Sequence, residues 1–128
     1  MQNRVLSRLA DARLPTYVVW VPMSRGVERD VPAATAEVPD ARATHYWDGG
    51  RVLVNGYRDT LGLPEDAWDI FLLYRPGVRW ESAQPPVPDY WMHQLGSASR
   101  PRVDGPFLDA GRFLLETRQL LSRPAARA

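Results

Sequence analysis

Hydrophobic residues along this 128-residue chain fall into short β-rich runs separated by stretches with helical spacing. The clearest run lies in residues 16–23, where Tyr17, Val18, Val19, Trp20 and Val21 are β-branched or aromatic and uncharged. That is the pattern of a strand covered on both faces of a parallel or mixed sheet. Ahead of it, Val5, Leu6, Leu9 and Ala10 share one helical face, predicting an amphipathic N-terminal helix within residues 1–15. Behind it, Val27, Val31, Ala34 and Val38 recur every three or four residues, predicting a helix over 28–38 with Pro32 in its first turns.

The alternation continues downstream. Residues 41–47 end in Thr-His-Tyr-Trp before an Asp48-Gly49-Gly50 break and read as a second strand, parallel to the first across the intervening helix. Asp48 suits the N-cap of a third helix, striped by Val52, Leu53, Tyr57 and Leu61 and stopped at Gly62. Residues 68–74 form a third strand, and Arg75-Pro76-Gly77 predicts a type II turn into a short antiparallel strand at 78–81. Residues 82–105 read as a Pro-rich insert with an extended surface segment at 84–88 and a helical turn or two at 89–95, capped by Asp89. A closing helix over 106–122 carries Phe107, Leu108, Leu114, Leu115 and Leu121. The expectation is one α/β domain, residues 1–128, with a central mixed four-stranded sheet in the order βαβ-α-ββ-α and flanking helices.

Residues 20–32 carry a family pattern. Trp20, Val21, Pro22, Met23, Ser24, Arg25, Gly26, Val27 and Pro32 fall without a gap on W-A-x-W-C-x-x-C-x-x-x-x-P. The stretch thus resembles thioredoxin-like proteins of the TlpA and ResA kind, with Trp20 as the strand-end aromatic and Pro32 as the helix-kinking proline. The resemblance covers residues 16–81 and implies a thioredoxin-like fold. Ser24 and Val27 occupy the two cysteine positions, so the family's dithiol-disulfide chemistry does not carry over. A family cis-proline is expected at the start of the third strand, where this chain has Ala67-Trp68, Pro64 lying several residues earlier.

Composition narrows the chemistry. The chain has no cysteine, which excludes disulfides, thiolate metal sites and thiol nucleophiles. Its net charge is +1 with dispersed arginines, unlike the concentrated basic footprint of a nucleic-acid binder. All sixteen basic residues are arginine, as GC-rich, bacterial-like coding produces. No apolar run reaches the ~18 residues of a membrane span, and Arg4, Arg8 and Asp11 interrupt the N-terminal apolar positions where a secretory signal would be continuous. A soluble, cytoplasmic protein is the expectation.

In a parallel βαβ unit the carboxyl ends of both strands share an edge, where open α/β sheets place ligands. Ser24, Arg25, His45, Trp47, Asp48, Trp68 and Asp69 are expected to cluster there, and Trp91 and His93 join them if the Pro-rich insert folds back. The favoured reading is a redox-inactive, non-catalytic binding or interaction module that holds a peptide, protein or small ligand at this edge and needs no cofactor. The alternative is a metal-binding protein or enzyme using His45, Asp48 and His93 as a 2-His-1-carboxylate set, although no local His spacing prepares it. A Ser24-His45-Asp triad can be written, but Ser24 lacks the G-x-S-x-G elbow.

Overall fold

A computed structural model describes residues 1–10, 14–22 and 28–123 of the chain. The architecture is mixed α/β. Among the described residues four strands form two sheets of two strands each, in place of the expected four-stranded sheet. The chain divides into two compact units, Met1–Val52 and Leu53–Ala128. Among the described residues no helix is long and apolar enough to cross a membrane.

In the first unit β1 (Thr16–Trp20) and β2 (Ala43–Trp47) run parallel, in register from Thr16 opposite Ala43 to Trp20 opposite Trp47. A parallel pair needs a crossover, and residues 21–42 supply it. A 3-10 turn, Glu28–Asp30, leads into α1 (Val31–Thr35), with Pro32 in its opening turn, where no intrahelical N–H is required. α1 is shorter than its periodicity predicts because Glu37 and Val38 donate to the carbonyls of Ala34 and Thr35, tightening the end into i→i+3 turns.

The expected N-terminal helix is reduced to turns and a single 3-10 turn, Leu6–Arg8, and residues 11–13 of that expectation lie outside the described ones. Val5, Leu6 and Leu9 are buried even so. Their backbone is held by Arg42, whose guanidinium donates to the Leu6 carbonyl at 2.8 Å and to the Leu9 carbonyl. Arg42 is fixed in turn by Asp40, with contacts of 2.8 Å and 2.7 Å to the two carboxylate oxygens. Carbonyls that a continuing helix would pair internally are thus satisfied by a side chain 33 and 36 residues away.

The two faces of the β1–β2 sheet differ in exposure. Tyr17, Val19, Thr44 and Tyr46 share a face on which Tyr17 is 66% and Tyr46 51% exposed, their rings 6.4 Å apart. The strand covered on both faces is therefore not what forms here. Val18, Trp20, Ala43, His45 and Trp47 lie on the other face and are half-buried.

α2 (Val52–Leu61) stops at Gly62, whose φ of 66° reverses the chain as expected. Its stripe differs from the prediction: Val54 and Tyr57 are buried, while Val52 is 70% exposed. In the second unit β3 (Ile70–Leu73) pairs antiparallel with β4 (Tyr90–His93), from Ile70 opposite His93 to Leu73 opposite Tyr90. Two expectations are corrected here: residues 78–81 form no strand, and residues 89–95 are not helical.

The Arg75–Val78 turn does form, with Gly77 at φ 86° and the Val78 N–H facing the Arg75 carbonyl at 3.4 Å. Residues 79–81 have little to bury, since Arg79, Trp80 and Glu81 are all partly or largely exposed. Tyr-Trp-Met-His offers aromatic, strand-favouring residues and buries Met92 and His93, so it takes the place beside β3. Asp89 begins no helix. Its N–H donates to the Leu73 carbonyl and its carboxylate accepts the Arg75 N–H at 2.8 Å, extending the ladder by one step.

Residues 106–108 meet the end of β4 through an isolated parallel bridge between His93 and Phe107. The His93 N–H donates to the Pro106 carbonyl at 3.1 Å, and the Leu108 N–H to the His93 carbonyl at 2.8 Å. The closing helix α3 (Ala110–Leu121) therefore starts later than predicted, capped by Asp109, whose carboxylate accepts the Arg112 N–H at 2.9 Å. Phe113, Leu114, Thr117 and Leu120 form its buried stripe, and Leu115 faces outward at 46% exposure.

The proline segment is half core. Pro85 and Pro88 are buried, Val87 is 73% exposed, and Thr60 and Tyr74 donate from their hydroxyls to the Pro85 and Pro86 carbonyls at 3.1 and 2.6 Å. Pro85 fits against Gly56 so closely that a Cβ there would lie 3.0 Å from its ring.

Candidate functional site

The carboxyl ends of β1 and β2 bring Trp20 and Trp47 side by side, as the parallel register requires. Beyond β2 the Asp48 N–H donates to the Trp20 carbonyl at 2.8 Å, and the Asp48 carboxylate accepts the Val52 N–H at 2.9 Å at the start of α2. Asp48 is therefore not the N-cap it was expected to be: α2 begins at Val52, four residues on and past Arg51 at φ 58°, and the carboxylate reaches the first helical N–H from outside the helix. The Trp47 indole lies over Gly49, where a Cβ would come within 2.8 Å of Nε1, so a residue with a side chain at 49 would dislodge the ring. Ser24 and Arg25, also expected at this edge, lie outside the described residues.

His45 sits two positions before the end of β2, just inside that edge. Indole nitrogen can only donate, so the 3.1 Å contact from Trp20 Nε1 makes His45 Nδ1 the acceptor. Nε2 then carries the proton and donates to the Val38 carbonyl at 3.2 Å. The two rings are nearly coplanar, 5° apart with centroids separated by 6.1 Å, so they meet edge to edge through this bond rather than stacking face to face.

Trp68, Asp69, Trp91 and His93 belong to the second unit. His93 is wholly buried and wired in the same tautomeric sense: Nδ1 accepts the Leu95 N–H at 3.1 Å and Nε2 donates to the Gly105 carbonyl at 3.2 Å. Its ring meets Phe107 edge-on at 5.5 Å and Trp91 at 5.9 Å. Trp91 in turn lies over Gly105, where a Cβ would come within 2.7 Å of the indole; Gly105 has φ 117°, a conformation that a side chain would strain. These contacts make His93 the pin that ties β4 to the loop of residues 94–108.

Asp69 precedes β3, and its carbonyl accepts the Gln94 N–H at 2.9 Å. Partial burial raises its carboxyl above the usual carboxylate range. Trp68 is half-buried in the loop before β3. An open cleft of about 260 Å³ also lies in this unit, between residues 61–64 and 101–104. Arg102 lines it and pairs with Glu65 at 3.0 Å.

Among the described residues no group of three or more His, Asp and Glu side chains is gathered to hold a metal ion. Ligation by either histidine would require breaking a hydrogen bond that each ring nitrogen already makes.

Two polar clusters went unforeseen. Arg42 with Asp40 is invisible to periodicity because the distant groups that Arg42 holds are backbone carbonyls at the chain start. Tyr57 reads as an apolar stripe residue, yet its hydroxyl meets the Tyr74 hydroxyl at 2.8 Å, and burial raises both phenols above their usual range. Comparison with protein-family models, curated proteins and solved structures finds no match for this chain.

Proposed function

We propose that this chain is a non-catalytic binding or interaction protein that uses the carboxyl-end edge of β1 and β2, around Trp47 and Asp48, to hold a peptide, protein or small ligand. The observation that carries the reading is the commitment of both histidines: each ring nitrogen of His45 and His93 is spent on the protein's own hydrogen bonds. Neither is poised as a base or a ligand. With no cysteine in the chain, dithiol chemistry is absent from the proposal as well.

A thioredoxin-like ancestry whose dithiol positions are Ser24 and Val27 belongs to the same proposal. It is supported by the parallel β1–α1–β2 unit, by Trp20 at the end of β1 and by Pro32 in the first turn of α1. The test uses the untagged chain. A metal-free protein that captures a defined peptide or ligand, and loses it in Trp47→Ala while staying folded, upholds the proposal. Stoichiometric metal that disappears in His45→Ala, or turnover in an insulin-reduction assay, overturns it.

A further inference from the structure

We draw no further inference here: the strongest candidate, the exposed face of the β1–β2 sheet formed by Tyr17, Thr44 and Tyr46, carries nothing because no feature of the structure shows what covers it.

Discussion

Trp20 donates its indole N–H to His45 Nδ1 at 3.1 Å, joining two parallel strands through their side chains as well as their backbones. His45 passes the connection on to the Val38 carbonyl, so strand, strand and crossover meet at one imidazole. His45→Ala removes both bonds from a half-buried site and is expected to cost about 1–3 kcal/mol in urea denaturation. In Trp20→Phe the acceptor alone loses its partner, and about 1 kcal/mol is the expected loss. Nitrogen-15 NMR of the parent chain should show His45 protonated at Nε2; the opposite tautomer would contradict the geometry.

His93 should behave as a structural pin. His93→Ala leaves the Leu95 N–H and the Gly105 carbonyl without partners in a buried site, at an expected cost of about 2–4 kcal/mol. Amide exchange should quicken at Leu95 and Leu108 first, because their bonds hold the loop to β4. If ligand capture vanishes with stability unchanged, His93 belongs to a binding site instead.

Arg42→Ala should free residues 1–10 from the first unit, with a loss of about 2 kcal/mol from its charge-assisted bonds. The Arg42 guanidinium holds the Asp40 carboxyl well below the usual carboxylate range. A depressed folded pKa means that this stabilisation is fully present above the unfolded value of about 4 and is lost as pH falls through the lower folded value. Arg42→Ala should accordingly flatten the acid limb of the stability curve, and an unchanged limb would reject the assignment.

The Tyr57–Tyr74 pair has the opposite dependence. Burial keeps both phenols protonated, so their contribution is present below the unfolded phenol value of about 10 and declines as pH rises toward the higher folded values. Tyr74→Phe should cost about 1–2 kcal/mol near neutrality, through the lost bond to Pro86, and should weaken the alkaline decline.

Gly56→Ala sets two effects against each other. Alanine favours a helix interior by about 1 kcal/mol over glycine. Against that, the new methyl meets the buried Pro85 ring at 3.0 and 3.1 Å, and that ring cannot rotate away. Shifting the segment endangers the Thr60 and Tyr74 bonds to it, so a net loss of about 1 kcal/mol is expected. A gain in stability would show that the proline segment is only loosely seated.

The sequence by itself determined the elements whose signals are local. Uncharged β-branched and aromatic runs marked β1, β2 and β3; Gly62 marked the end of α2; and a strand-helix-strand order required the parallel pairing. Pro32 likewise fell where a helix start tolerates it. The carboxyl-end edge, with Trp47 beside it, came from that topology.

Tertiary structure decided everything that depended on competition between distant segments. Residues 78–81 and 89–95 both had access to β3, and the segment able to bury Met92 and His93 became β4 although its spacing also suited a helical turn. Phe107 and Leu108 had helical spacing too, but the backbone of His93 paired with Pro106 and Leu108, and α3 starts only at Ala110. Arg42 and the two histidines acquired their roles in the same way. Their partners are mostly backbone groups, which every residue possesses and no side-chain pattern advertises, so only folding could reveal which of them each side chain would meet.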